Sequence, residues 1–237
     1  MTQPTHGLHR MPSLSPVFAT PLAIAEMADA ASLNAELRAL FLDREQAGDR
    51  YANPDPYTHR NAALFESNFT LFDWPQPCVA KLRDFCWAQL YQMIRELNDY
   101  DLAMLQRLHI AHESWFHITR KGGYFGVHNH PMHSWSGVYC VCQEGDDPES
   151  DSGKLTFVNP YSMNTMFVDM ASHRMKRPYS FGNLSLRLAP GQLVLFPSWL
   201  LHEVTAFEPA GTGERITVAF NARFRLEGYQ APVTPRG

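Results

Sequence analysis

The sequence is poor in cysteine, in long apolar runs and in basic residues, and each shortage excludes a class of protein. Four cysteines in 237 residues are too few and too unevenly spaced for a disulfide framework, so we expect a cytoplasmic protein. The apolar runs fall far short of the roughly 20 residues that a membrane span needs, which predicts no membrane contact. Acidic residues outnumber basic ones by 24 to 20, so the charge gives no support to nucleic-acid binding.

The length of the chain favours one domain with a full hydrophobic core. Residues 1–16 are polar and interrupted by prolines, so we expect a flexible tail that lacks the apolar core of a signal peptide. Residues 17–230 are predicted to form a single domain, with a helical part over about 20–110 and a β part over about 112–224. A small molecule is the expected partner, and the sequence leaves a homodimer open.

Apolar residues in the first half of the chain recur at the spacing of helices. The pattern predicts one helix between residues 20 and 50, a second over about 76–97 and a short third over about 101–108. From residue 112 onwards, β-branched and aromatic runs alternate with turn residues, which is typical of strands. The predicted strands cover residues 113–120, 124–130, 135–142, 154–158, 184–188, 192–197, 201–207 and 215–224.

Eight short strands with hairpin connections predict a mostly β fold, a jelly-roll or double-stranded β-helix barrel of the cupin type. Because the helices precede the strands, we expect them to buttress one sheet of the barrel. The last predicted strand alternates, with Arg215, Thr217 and Asn221 on one face and apolar residues on the other. The apolar face should meet the core or the helices, while the polar face should look into a pocket.

Three histidines are the best candidates for a metal site. His128 and His130 lie two apart in the run GVHNHP, so on an extended strand their side chains point to the same face. A third ligand, His202, follows an apolar strand. Three protein ligands leave open coordination positions, as a catalytic metal needs. The pattern favours a mononuclear iron oxygenase, with histidines that merely pack in the structure as the alternative.

Arg215 is the candidate for an anion site. It opens the strand that follows His202, and Thr217 shares its face, so a guanidinium fork and a hydroxyl are available to one carboxylate. We expect His202 and Arg215 to begin adjacent antiparallel strands and to lie at opposite ends of that hairpin. A short dicarboxylate would fit between them, provided that His202 shares the face of Arg215. A surface role for Arg215 is the alternative.

Several segments together resemble the iron(II)/2-oxoglutarate-dependent oxygenases of bacteria. The likeness covers roughly residues 110–224 and rests on the runs ESWFHITRKGGY (113–124), HNHP (128–131), SGVY (136–139), SGKLTF (152–157), PGQLVLFPSWLLH (190–202) and RITVAFN (215–221). The resemblance implies a double-stranded β-helix and an oxidoreductase that uses Fe(II), with 2-oxoglutarate and O₂ as co-substrates and succinate and CO₂ as by-products.

By position, the resemblance makes His128 the first ligand of the iron, His202 the distal ligand and Arg215 the anchor for the far carboxylate of 2-oxoglutarate. Tyr139 is a further candidate to reach that carboxylate. Hydroxylation of a small molecule is the default reaction, with desaturation, cyclisation or halogenation left open. The long segment 159–183 is expected to cover the barrel mouth or to bind substrate.

One departure from the family pattern concerns the third ligand. The wider family has Asp or Glu two residues after the first histidine, where this chain has His130. A neutral imidazole would leave the iron more electron-poor. Two alternatives therefore stay open: a three-histidine dioxygenase of the cupin type that does not use 2-oxoglutarate, and a metal-binding protein without activity. Glu203 is a poor substitute ligand because it should face away from its neighbour His202.

Overall fold

The computed structural model describes residues 13–145, 147, 149–161 and 167–228. The predicted tail therefore falls mostly outside the described residues. Two 3₁₀ turns cover Gly48–Arg50 and Leu71–Asp73. The other elements, in chain order, are β1 (Ala23–Glu26), α1 (Ala30–Gln46), β2 (Leu64–Glu66), α2 (Pro77–Asn98), α3 (Leu102–Gln106), β3 (Leu108–Thr119), β4 (Phe125–His128), β5 (Trp135–Gln143), β6 (Leu155–Phe157), β7 (Leu184–Leu186), β8 (Gln192–Pro197), β9 (His202–Val204) and β10 (Arg215–Leu226).

The three predicted helices and all eight predicted strands are present. Helix α2 begins with Pro77, whose missing N–H is not needed in the first turn. Helix α3 begins where the side chain of Asp101 accepts a hydrogen bond of 2.7 Å from the backbone N–H of Met104. Two short strands were not predicted: β1 lies within the stretch of helical periodicity, and β2 is a three-residue strand between the first two predicted helices. As a result α1 begins at Ala30, well after the predicted start near residue 20.

The strands form two antiparallel sheets. The larger has the order β1-β8-β5-β10-β3-β2 and the smaller has the order β4-β9-β6-β7. Strands β3 to β10 alternate between the two sheets except at the hairpin of β6 and β7, which lies wholly in the smaller sheet, and this order is that of a double-stranded β-helix, which confirms the predicted fold. Strands β1 and β2 extend the larger sheet at its two edges.

Each face of the larger sheet has its own apolar core. On the outer face, Ile216, Val218 and Phe220 of β10 pack with α1 and α2 in one cluster, and Phe41 of α1 stacks on Phe116 of β3 at 4.2 Å. The inner face contributes to a smaller cluster between the sheets, formed by Cys140, Leu155, Phe157, Leu188, Val194, Phe196 and Leu200. The helices thus buttress one sheet as predicted, and the space between the sheets is left for the site.

His202 and Arg215 lie in different sheets. Strand β9 pairs with β4 and β6, whereas β10 pairs with β3 and β5. The expectation of adjacent antiparallel strands was therefore wrong, because the chain crosses from one sheet to the other after β9. The consequence is that the two residues belong to facing sheets of the barrel. No helix in the described part of the chain is long and apolar enough to cross a membrane.

Candidate active site

The structure brings the three predicted histidines together at the end of strands β4 and β9. Their ligand nitrogens all lie within 4.8 Å of one another. The ring centroids are 4.3 Å apart for His128 and His202, 4.9 Å for His128 and His130, and 5.1 Å for His130 and His202. The register explains the first of these pairs, since His128 lies directly opposite His202 in the ladder.

Backbone carbonyls fix the orientation of two of the rings. The Nδ1 atom of His128 lies 2.7 Å from the carbonyl oxygen of Gly126. The Nδ1 atom of His202 lies 2.8 Å from the carbonyl oxygen of Leu200. A carbonyl only accepts, so each Nδ1 must donate its proton, and the lone pair of a neutral ring then lies on Nε2. Such support is typical of histidines that bind a metal.

Burial keeps the three imidazoles neutral. Burial, together with a smaller effect of the nearby histidines in the same direction, lowers the pKa of His130 to about 2 and that of His202 to about 3. Burial also lowers the pKa of His128, although the Gly126 carbonyl opposes the shift. A neutral imidazole is the form that binds a metal ion, so these rings need no deprotonation near neutral pH.

The group of three contains no carboxylate among the residues that the structure describes. His130 lies just beyond the end of β4, where its backbone N–H donates to the carbonyl of Ser198. Glu203 pairs with Thr156 while its neighbour His202 pairs with Phe157, so the two side chains leave opposite faces of β9. His133 stands apart, with its Nε2 3.9 Å from a carboxylate oxygen of Glu113.

Arg215 is buried without a counter-charge. Its side chain is inside the barrel at 3% exposure, and it forms no ion pair with any residue in the described ranges. Its Nε atom has no hydrogen-bond partner there, nor has the hydroxyl of Thr119, the residue directly opposite in the ladder. Thr217 is buried on the same face. A buried cation and a buried hydroxyl without partners are costly, so the pocket suits a bound anion.

The surroundings of Arg215 reinforce its fit to a carboxylate. Burial lowers the pKa of its guanidinium, and the positive charge of Arg187 adds to that effect. Gly153, at φ +60°, lies against the arginine, where an added Cβ would be 3.2 Å from its Cδ. From Gly153 to Phe157, the partner of His202, the chain advances four residues, or roughly 13 Å if extended. An arginine side chain and a five-carbon diacid together span such a gap.

Tyr139 does not belong to this pocket, and its predicted role is corrected. It lies on the outer face of the larger sheet, in the cluster packed against the helices. Its hydroxyl donates to Oδ1 of Asn34 in α1 at 2.7 Å. Both faces of β5 are buried, so the sequence did not reveal which of its residues point into the barrel. Cys140, the next residue, is the one that points between the sheets.

A buried group of hydrogen-bonded side chains beside His130, formed by Trp115, His117 and Glu66, was not predicted from the sequence. The ring of Trp115 packs 5.7 Å from that of His130, and its indole N–H lies 3.1 Å from Nε2 of His117. The same nitrogen is 2.9 Å from a carboxylate oxygen of Glu66. Burial raises the pKa of Glu66, but the contacts with His117 and Asn53 outweigh it, so the pKa is lowered overall. No motif marks this group, because its members come from β2 and β3.

Comparisons with known proteins agree with this geometry. Residues 113–221 match the family model described as "Putative 2OG-Fe(II) oxygenase". A Pseudomonas putida prolyl-4-hydroxylase is 18% identical, with a TM-score of 0.57 over 87% of this chain and 94% of its own. A Trichoplax adhaerens prolyl hydroxylase, solved with a peptide fragment of hypoxia inducible factor, is 13% identical, with a TM-score of 0.56 over 85% and 82%.

A third similar structure is the epimerase SnoN from nogalamycin biosynthesis, solved with Fe³⁺, α-ketoglutarate and a nogalamycin compound. It is 11% identical, with a TM-score of 0.52 over 92% of this chain and 88% of its own. At these identities the three structures show the fold alone. A comparison of the sequence with curated proteins finds no match. Residues 113–221, a little under half of the chain, thus match the 2OG-Fe(II) oxygenases, oxidoreductases that use Fe(II), 2-oxoglutarate and O₂.

Proposed function

We propose that this protein hydroxylates a C–H bond of a small molecule, with iron held by His128, His130 and His202 and 2-oxoglutarate held by Arg215 and Thr217. The observation that carries the proposal is the buried, unneutralised guanidinium of Arg215 in the sheet that faces the histidines. A family member without an anionic co-substrate would have no use for a costly buried charge at this depth.

Each residue of the proposed site has a defined role. The three imidazoles are neutral, and two are oriented by carbonyls, so they offer a facial set of nitrogen ligands with coordination positions left open. Arg215 would bind the far carboxylate through two charge-assisted hydrogen bonds, with the hydroxyls of Thr217 and Thr119 beside it. When bound, Fe(II) with 2-oxoglutarate and O₂ supplies the oxidising power and yields succinate and CO₂ as by-products.

Apolar walls complete the site. The ring centroid of His202 lies 4.9 Å from that of Phe196 and 5.9 Å from that of Phe157. The ring centroid of His128 lies 4.8 Å from that of Phe125. Aromatic side chains at these distances exclude water from the metal side of the pocket. Dry surroundings strengthen the electrostatic contacts of the ligands and limit unproductive oxidation.

A three-histidine dioxygenase that does not use 2-oxoglutarate is the second candidate. It is favoured by one observation, the lack of a carboxylate in the described metal group. This enzyme would keep the iron and use Arg215, if at all, for an anionic substrate. The two candidates thus differ in whether 2-oxoglutarate is consumed.

Succinate formation tests the proposal. Purified protein, supplied anaerobically with one equivalent of Fe(II) and then with 2-oxoglutarate, O₂ and ascorbate, should release succinate and CO₂ in equal amounts, because ascorbate replaces the unidentified substrate as the two-electron reductant and the second oxygen atom leaves as water. The variant His202→Ala should release none and bind little iron, because one of three ligands is gone. His133→Ala, outside the metal group, is the matched control. Consumption of O₂ without loss of 2-oxoglutarate would instead support the second candidate.

A further inference from the structure

A cavity of about 540 Å³ opens beside the histidines, at the end of the barrel where β6 and β9 meet. Its walls come from residues 16–22, which lead into β1, from the end of β6, and from the segments 158–161 and 175–184. Ligand sites in proteins have volumes of about 300–1,000 Å³, so the cavity is large enough for a substrate-sized molecule. Part of this wall belongs to the segment 159–183, which the sequence predicts to cover the barrel mouth or to bind substrate.

The cavity shares a wall with the metal group. Phe157 lines it and also packs its ring 5.9 Å from that of His202. Leu200 lines it as well, and the carbonyl of Leu200 faces Nδ1 of His202. A molecule in the cavity would therefore be separated from the metal ligands by single side chains.

Hydrogen bonds hold the walls in place. The side-chain amide of Asn159 donates to the carbonyl of Ser180 at 2.9 Å and to that of Gly182 at 3.3 Å. These two bonds connect the beginning and the end of the segment 159–183. The hydroxyl of Tyr161 donates to the carbonyl of Phe18, which joins that segment to the irregular stretch before β1. The hydrogen bonds fix the cavity walls relative to one another, so the protein would need little rearrangement to bind a ligand there.

The cavity walls are mostly apolar, and the charge they carry is positive. Among the described lining residues, most are aromatic or aliphatic, including Leu22, Phe181 and Leu184, and Arg177 alone is charged. None of these described lining residues carries a carboxylate, although the whole chain has 24 acidic and 20 basic residues. Arg177 is exposed at the rim and forms no ion pair with another described residue. Val17 and Phe18 leave 68% and 79% of their surfaces exposed beside it, as a binding surface does.

We infer that this cavity binds the primary substrate, and that the substrate is an apolar carboxylic acid. Its hydrocarbon part would lie against Leu22, Leu184 and Leu200, and its carboxylate would bind the guanidinium of Arg177. This inference rests on the proposed function, because it assigns a substrate class to that reaction. The carbon to be oxidised would be the part that reaches past Phe157 towards the histidines.

Binding of dodecanoate tests the cavity without turnover. Displacement of 8-anilino-1-naphthalenesulfonate fluorescence would give its affinity, with dodecan-1-ol as the uncharged comparison. The variant Arg177→Gln should weaken dodecanoate binding about three- to tenfold and leave dodecan-1-ol binding unchanged, since an exposed charged hydrogen bond is lost. Arg174→Gln, an exposed arginine of the same segment outside the cavity, is the control and should change neither.

A second pair of variants fills the space. Ala19 is an exposed residue of the cavity wall, so Ala19→Trp should fold normally and block dodecanoate binding. Ala28→Trp places the same side chain at an exposed position outside the cavity and should bind like the wild type. Unchanged binding in Ala19→Trp, or in Arg177→Gln, would overturn the inference.

The substrate class and the proposed reaction can be tested separately. With Mn²⁺ in place of iron, the proton signals of bound dodecanoate should broaden, and His202→Ala should abolish the broadening. Iron-dependent succinate formation combined with dodecanoate binding that ignores Arg177 and Ala19 would overturn the substrate class alone. Binding that depends on these residues, without any turnover of 2-oxoglutarate, would overturn the proposed function and leave the cavity as a site for apolar carboxylates.

Discussion

His130 is the residue at which this chain departs from the ligand set of the iron(II)/2-oxoglutarate oxygenases that it resembles. The side chain lies against Trp115 and within reach of the nitrogens of His128 and His202, and burial holds it neutral. An imidazole in place of a carboxylate raises the net charge of a metal site by one unit. That extra charge favours binding of an anion at the open positions of the metal, including the near end of 2-oxoglutarate.

Substitution of His130 tests whether it is a ligand. His130→Leu should weaken Fe(II) binding at least about tenfold, because one nitrogen ligand is lost, while His130→Asp should keep one iron per chain. Fe(II) affinity measured anaerobically against a competing chelator provides the comparison, with His133→Leu as the control outside the group. Full iron affinity in His130→Leu would show that another group, or water, takes this position.

The secondary structure elements show how far the sequence could predict this molecule. The strands of the barrel carry strong β patterns, and the alternation in β10 correctly predicted that Arg215 and Thr217 look inwards while Ile216 and Val218 face the core. The same rule failed for Tyr139, because β5 is buried on both faces and its pattern does not distinguish them. The pairing of β9 with β4 depends on contacts between distant segments, which local patterns do not contain.

Close packing within the larger sheet depends on a glycine in β5. A Cβ added at Gly137 would lie 2.4 Å from Cζ of Phe220, whose ring is fully buried between β10 and the helices. Gly137→Ala should therefore lower the free energy of unfolding by about 1–3 kcal/mol through overpacking. Urea unfolding gives this value, and Gly182→Ala is the matched control, because no atom lies within 4 Å of its added Cβ. Equal free energies of unfolding for the two variants would mean that β5 shifts to accommodate the added methyl group without cost.

At the scale of the whole molecule, the buried histidines make the stability of the metal-free protein depend on pH. In the unfolded chain an imidazole has a pKa near 6.5, whereas folding lowers the pKa of His130 to about 2 and that of His202 to about 3. Below pH 6.5 the unfolded state therefore binds protons that the folded state does not. Stability should be full above that pH and fall by up to about 1.4 kcal/mol per pH unit for each such histidine.

Denaturation with urea between pH 7 and pH 5 measures this slope. His130→Asn removes one buried imidazole and should give a shallower fall in stability than the wild type. The same substitution at His109, on the exposed part of β3, is the control. An equal or steeper fall in His130→Asn would contradict the assignment of a neutral, buried ring. Protonation of Glu66 should lower the stability further at lower pH, because the pKa of this carboxyl group is also lowered on folding.

The central claim is that this barrel holds 2-oxoglutarate between three histidines and Arg215, and anaerobic calorimetry of the Fe(II)-loaded protein tests it most directly. Wild type should bind one 2-oxoglutarate per chain. Arg215→Ala should keep its iron but bind 2-oxoglutarate more weakly by about 2–5 kcal/mol, or roughly 30- to several-thousand-fold, and Arg215→Lys should recover part of the loss. Arg223→Ala, an exposed arginine of the same strand, should bind normally. Unchanged 2-oxoglutarate affinity in Arg215→Ala would contradict the account.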